Sequence, residues 1–371
     1  RFGFRSRPGP FTVSTAVGND VTAAAVREIV SELEMLAAEG PTEEEVGAAR
    51  DYAAGVFGLQ LEAAGQIASR VNQIVVYGLA DDYYHRYRDS VRAVSVDEVT
   101  DAVRRHVRPA EAQVIVVGAG LINALEIQKK RIEDIKVVCV GAGAAGVASV
   151  RLLIEMGARK ENILVLDRKG VIHSRRDDLN QYKAALANDT DKRTLNDAVE
   201  DADVFIGVSG PDMLTPEMVK KMAPKPIIFA LANPDPEIRP EVAKAARPDA
   251  IVATGRSDFP NQVNNVLCFP YMFRGALDVR STSITEEMKI AAVHAIAELV
   301  REAPPQEVLD AYGGEPLTFG ADYIIPKPND PRLLGRVSSA VARAAVDCGV
   351  ARKGYPSHYP LNSLDEIFPE L

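Results

Sequence analysis

The chain has 371 residues, 47% of them hydrophobic and 26% charged, and a net charge of -9, which is enough length and apolar content for two ordinary domains. The acidic balance, with no basic cluster set against it, disfavours nucleic acid or an anionic membrane as a partner. Arg1 opens no signal peptide, no long uncharged apolar run follows, and Cys139, Cys268 and Cys348 form no CxxC pair. The expectation is a cytoplasmic chain with no membrane span, disulfide framework or cysteine zinc site, its three thiols buried as small apolar residues.

Residues 1–128 contain no lysine, whereas lysine and arginine are mixed from Lys129 onward. That break suggests two segments of different ancestry. The first opens on Phe11–Val17, whose alternation puts Phe11, Val13 and Thr15 on one face of a strand. Asn19 or Asp20 then caps a helix with Val26, Ile29, Val30, Leu33 and Leu36 at helical spacing, stopped by Gly40-Pro41. Thr42 with Glu45 reads as a capping box opening the next helix. Further helices are expected near 61–77, 81–92 and 96–107, the last opened by Ser95 with Glu98, and Gln113–Val117 reads as a buried closing strand. The segment is a small α+β half-sandwich, helices covering one face of a sheet.

Its phrases "FTVSTAV", "GPTEEEV", "LADDYYHRYRDSVRAVSVDEV" and "VIVVG", in that order over residues 1–118, resemble the closing part of a domain of the M16 (pitrilysin or insulinase-like) peptidases. The resemblance does not bring that family's zinc chemistry, which needs an HxxEH helix and a distal glutamate. His85 and His106 lack the motif and read as surface residues of charged helices. Tyr83, Tyr84 and Tyr87, beside Asp81-Asp82, read as helix packing.

Next comes Leu121–Glu126, a helix leading to Lys136–Gly146, KVVCVGAGAAG. Four apolar residues of strand type empty into Gly141-Ala-Gly143-Ala144-Ala145-Gly146, and Val147–Met156 has helical spacing. The first glycine makes the turn, the second lets backbone approach a pyrophosphate, and the third lets strand and helix pack closely. The helix N-terminus then faces the phosphates. A second apolar run, Ile163–Leu166, ends in Asp167, where a ribose-binding acid is expected. Asp203–Val208, Pro226–Leu231 and Ala250–Thr254 are further short apolar runs spaced by helical patterns, so the second segment is expected to be an α/β, Rossmann-like, doubly wound parallel sheet. Ser209-Gly210, Asn233-Pro234 and Gly255-Arg256-Ser257 fall at strand ends, where such sheets bind ligands and where ordinary turns also occur.

Over residues 119–352 the phrases "GLINALEI", "VGAGAAG", "DRKGVI", "DKRTLNDAVEDADVFIGVSG", "PIIFALANPDPEI", "GRSDFPNQVNNVLCFPYMFRGALDVR" and "DYIIPKPNDPRLL" resemble the NAD(P)-binding domain of malic enzymes, in particular the bacterial NADP-type branch. The resemblance implies oxidation of malate with hydride transfer to the nicotinamide, then decarboxylation to pyruvate and CO2. It implies cofactor contacts at Gly141, Gly143, Ala144, Ala145, Gly146, Asp167, Arg168, Ser209 and Asn233, and substrate contacts at Asn233 and Asn265, whose amides suit a 2-hydroxy acid. Asn264 is assigned to packing or capping. Asp167 alone would favour the free 2′-hydroxyl of NAD, while Arg168 and Lys169 could neutralise a 2′-phosphate; with the family branch, NADP is preferred to NAD.

The family also uses a tyrosine acid, a lysine base and Mg or Mn held by three carboxylates. Where the metal-ligand phrase of the family should precede "GLINALEI", this chain reads "EAQVIVVGAG", and none of those groups has a counterpart. Asp258, Glu286 and Glu287 match no ligand position, and Asp278 is unassigned. Residues 353–371, proline-rich and polar, are expected to be a loosely packed tail, with no acyltransferase-like domain after them. The expectation is a chimera whose cofactor half binds the dinucleotide, and malate only if a substrate domain is supplied, with a homo-oligomer possible. A non-catalytic M16-type subunit and a non-functional fusion are the alternatives.

Overall fold

In the computed structural model, residues 32, 35–36, 40–59, 70–72, 74–75, 79–106, 110–232 and 234–360 are described. The chain divides into two compact units, Arg1–Pro109 and Ala110–Leu371. The described part of the first unit is helical: α1 (Glu43–Leu59), α2 (Tyr83–Ala93) and α3 (Val96–His106). Both expected capping boxes are present. Glu45 N donates to Thr42 Oγ1 at 3.2 Å while the Glu45 carboxylate accepts from Thr42 N at 2.8 Å, and Ser95 and Glu98 repeat the exchange at 3.1 and 2.8 Å. Phe57 of α1 packs against Tyr84 and Tyr87 of α2 with ring centroids 5.8 and 4.6 Å apart, so the tyrosines serve the helix pair. His85 is exposed on α2. The expected strand Phe11–Val17 and the helix capped at Asn19 or Asp20 lie outside the described residues except for fragments, as does most of 61–77.

The second unit holds a six-stranded sheet: β1 (Val137–Val140), β2 (Ile163–Asp167), β3 (Gly170–Val171), β4 (Val204–Gly207), β5 (Ile227–Ala230) and β6 (Ile251–Thr254). Their order is β3-β2-β1-β4-β5-β6, all parallel except the β2–β3 hairpin. This is the doubly wound order of dinucleotide-binding sheets, with its switch point between β1 and β4. Every residue of β1, β4, β5 and β6 is buried, because helices cover both faces. Alternation sorts the side chains. Val137, Cys139, Ile206, Phe229 and Ala253 join one core with helices α4 (Ala110–Gln128), α5 (Ala144–Glu155), α9 (Glu286–Leu299) and α11 (Arg332–Asp347). Val138, Val140, Phe205, Ile228 and Val252 join the other, with α6 (Pro216–Lys221) and α7 (Pro240–Ala246). Thr215 and Thr285 cap α6 and α9, each accepting from the amide three residues on. Two more helices are α8 (Phe269–Asp278) and α10 (Gln306–Ala311), and single helical turns span Gln181–Ala184 and Leu195–Ala198.

Two expectations are corrected. Gln113–Val117 is not a strand but part of α4, and the boundary between the two resemblances, 1–118 and 119–352, lies inside the same helix. Val114 to Leu121 are all buried. A helix that is apolar all round is a core helix, and burial against α5, α9 and β5 overrides the β-propensity of Val-Ile-Val-Val. Cys139 and Cys268 are buried free thiols, but Cys348 is exposed. Of the expected loose tail, residues 353–360 are described: Lys353, Gly354, Ser357, His358 and Pro360 are exposed, whereas two tyrosines make contacts. Tyr359 is buried and hydrogen-bonds to Asp278, and Arg343 lies over the Tyr355 ring at 3.5 Å.

Candidate functional site

The site is built where β1 turns into α5. Gly141 has φ +114, a conformation side chains rarely adopt, and a Cβ there would meet the Val208 carbonyl oxygen at 2.6 Å. A Cβ on Gly146 would lie 1.8 Å from the Gly141 carbonyl oxygen, so the third glycine is required by the contact between turn and helix. Gly143 differs from both. It caps α5 with φ -81, ordinary for any residue, and a Cβ there would meet nothing within 4 Å. Nothing in the chain itself requires a glycine at this position, and the space in front of it is open to a ligand. Ala144 and Ala145 form the first turn of α5, whose N–H groups have no intrahelical acceptor. Together the turn and helix end make a cradle for a phosphate.

Beside the turn, the ends of β1 and β2 open into a cavity of about 340 Å³ lined by Val140, Leu166, Asp167, Arg168, Arg193 and Met213, among others. Asp167 sits here as expected, but its carboxylate is already engaged. It accepts from Arg176 at 2.9 and 3.1 Å, from Lys183 Nζ at 2.7 Å and from Lys169 N at 2.9 Å. Only 9% of its side chain is exposed. Burial pushes its pKa up, but the Arg176 and Lys183 bonds prevail and bring it down from 3.8 to about 2. Arg176 in turn holds Asp178 at 2.8 and 2.9 Å, and Asp178 also pairs with Lys169 at 2.7 Å. Arg176, Lys183 and Arg193 were not visible as site residues in the sequence. The signal available was a basic run after an acidic strand end, which says nothing of which cation folds back.

On the other side of β1, Ser209 follows β4. Its N–H donates to Glu237 Oε1 at 3.0 Å, its hydroxyl donates to Met213 Sδ at 3.2 Å, and the residue is exposed. Asn233, expected to touch both cofactor and substrate, lies outside the described residues. Asn264 caps the turn of 3-10 helix Asn265–Leu267 by accepting from Val266 N at 3.0 Å, and Asn265 is half-buried at its start. Arg256, after β6, reaches the Pro234 carbonyl at 3.2 Å and is paired with Asp258 at 2.7 and 2.8 Å. Glu286 is paired with Lys289 at 2.9 Å, and Asp278 with Arg274 at 2.6 Å. These acids thus have structural partners. Among the described residues no group of three or more His, Cys, Asp or Glu could hold a metal ion. The donor set for Mg or Mn is therefore not met by these residues. Among them, too, no helix is long and apolar enough to cross a membrane.

The profile of the family "Malic enzyme, NAD binding domain" matches residues 111–310. The chain is 62% identical over 254 residues to the NADP-dependent malic enzyme of Halomonas elongata, covering 68% of this chain and 60% of that one. It is 54% identical over 258 residues to the NAD-dependent malic enzyme of Rhizobium meliloti, covering 69% of this chain and 33% of that one. The crystal structure of the malic enzyme from Pyrococcus horikoshii Ot3 is similar with a TM-score of 0.58 and 41% identity, covering 66% of this chain and 55% of that one. The chain thus spans between a third and about three fifths of the curated relatives' length.

Proposed function

We propose, from the premise that this chain belongs to the malic enzyme NAD-binding domain family, that it is the cofactor-binding part of a cytoplasmic enzyme that oxidatively decarboxylates malate to pyruvate and CO2, and that it binds NADP in preference to NAD. The strand–turn–helix at Gly141–Gly146 carries the dinucleotide reading: Gly141 and Gly146 are required by the turn itself, and the space before Gly143 at the helix N-terminus leaves room for a pyrophosphate. The bound nicotinamide supplies the hydride acceptor. In this reading the chain's own residues cradle the pyrophosphate at Gly141–Gly146 and seat the adenosine in the Asp167 cavity, with Ser209, Asn233 and Asn265 as the sequence-assigned contacts of the nicotinamide and the 2-hydroxy acid.

The preference for NADP rests on Asp167. A free carboxylate at that strand end would accept the 2′-hydroxyl of NAD and repel a phosphate. Here Arg176 and Lys183 neutralise it, and Arg168, Lys169 and Arg193 line the same cavity. A 2′-phosphate would meet a cationic wall.

No tyrosine–lysine pair or metal carboxylates of the family's kind occur in these 371 residues, so we read the chain as binding without turnover by itself. The lysine-free stretch 1–128 favours a second origin for the first segment, which we read as an M16-type fragment, making the chain a chimera with no peptidase chemistry of its own. Calorimetric titration with NADP and NAD, followed on the same sample by malate and manganese while absorbance of the reduced cofactor is watched, tests this. Tighter binding of NADP without reduction is expected. Failure to bind either dinucleotide sinks the cofactor assignment, and turnover sinks the inference that the chemistry must come from elsewhere.

A further inference from the structure

Glu237 is fully buried and lies in the stretch after β5, yet its carboxylate is used by the loops of two strands. Oε1 accepts from Ser209 N at 3.0 Å, beyond the end of β4, and Oε2 accepts from Ala232 N at 3.1 Å, beyond the end of β5. Its backbone carbonyl accepts from Leu214 N at 3.0 Å, and the neighbouring Pro236 carbonyl accepts from Asp212 N at 3.2 Å. One short segment thus fastens the 208–214 loop and the chain leaving β5 at Leu231-Ala232 to each other. The carboxyl carbon sits where a Cβ on Gly207 would come within 2.3 Å, so β4 ends in glycine to admit it.

A carboxyl group is an expensive way to join two loops. Burial pushes the Glu237 pKa up, and backbone N–H groups from Ser209, Ala232 and Leu231 pull it back; among the described residues no cation pairs with it. Such a group is a poor stabiliser compared with an apolar side chain of similar volume. What it offers instead is geometry, because a carboxylate is an acceptor only and can fix several convergent donors at once. The fastened loops lie on the β4–β5 side of the switch point. With the adenosine on the β2 side, that is where the second nucleotide half, bearing the nicotinamide, comes to rest.

We propose that Glu237 is a positioning residue that sets the nicotinamide-facing loops after β4 and β5 in their binding geometry. The inference rests on the dinucleotide reading above. Glu237→Gln keeps the shape but turns one acceptor into a donor facing an N–H, and Glu237→Asp is too short to reach both loops. In each variant affinity for NADP falls by about tenfold or more, while affinity for the truncated ligand lacking nicotinamide, 2′-phospho-ADP-ribose, stays at the wild-type value. Equal losses for both ligands, or no loss for either, overturn the proposal. Hydrogen exchange on the ligand-free wild type gives an independent readout that needs no variant. The Ser209 and Ala232 amides are expected to be protected, and rapid exchange at both would also overturn it. If the wild type binds neither ligand while both amides are protected, the cofactor reading has failed and the clamp has not.

Discussion

Two carboxylates stand on either side of the glycine turn, and they are held by opposite means. Asp167 lies at the edge of a cavity within a network of side-chain cations, Arg176, Lys183 and, through Asp178, Lys169. Glu237 is sealed in and held by backbone N–H groups. The first arrangement lowers the acid's pKa and the second leaves it raised. A charge network can be adjusted one side chain at a time and tunes which phosphate a cavity accepts. A carboxylate clamped by main chain ties loop geometry to a single residue and tolerates little change.

The largest effect is expected where the sealed carboxylate is disturbed by shape. Gly207→Ala drives a methyl into the Glu237 carboxyl group, whose carbon would lie 2.3 Å away. We expect a loss of roughly 3 kcal/mol or more in chemical denaturation, from overpacking and from breaking the buried hydrogen bonds. Unchanged stability would mean that the two loops part easily.

Asp167→Asn removes charge rather than volume and leaves Arg176 and Lys183 without their shared anion. A cost of about 2 kcal/mol at neutral pH is expected, with binding of NADP kept and its margin over NAD widened. The pH dependence separates the two acids. Asp167 has a folded pKa of about 2 against an ordinary 3.8, so its contribution is complete above pH 3.8 and is lost as pH falls toward 2. Glu237, raised above 4.5, has the reverse sign: it opposes folding at neutral pH, and that cost is relieved as pH falls through its folded value toward 4.5. Stability curves of wild type and Asp167→Asn should therefore converge below pH 3.8. Curves that stay parallel down to pH 2 would show that the Asp167 network contributes nothing.

The smallest effect is expected at Thr194, which lines the Asp167 cavity and caps the one-turn helix Leu195–Ala198 in a reciprocal box with Asp197 at 3.2 and 2.9 Å. Thr194→Ala should cost about 1 kcal/mol of stability, with dinucleotide affinity nearly unchanged. A large loss of affinity would show that the wall of the cavity depends on that cap.

Much of this was legible before any fold was known. Gly141, Gly143, Gly146 and Asp167 stand out because a tight turn, an open backbone and a strand end each restrict residue type, and the capping boxes at Thr42 and Ser95 are local chemistry. The five parallel strands were visible as apolar runs. Glu237 was not, since "NPDPE" reads as turn chemistry and its partners, Ser209 and Ala232, are backbone amides that any residue supplies. Arg176 was hidden for a related reason: its pairing with Asp167 depends on the path of the chain after β3. Gln113–Val117 misled in the other direction, because β-branched residues favour strands until a core claims them.

That stretch has a further consequence, for how the chain reaches its native state. Val114-Ile-Val-Val117 is helical because α4 is surrounded. Before α5 and α9 close around it, the same four residues form an uncharged, β-prone segment of the kind that pairs with copies of itself. We therefore expect the refolding yield of the protein to fall as its concentration rises, measured by recovery of soluble protein after dilution from denaturant.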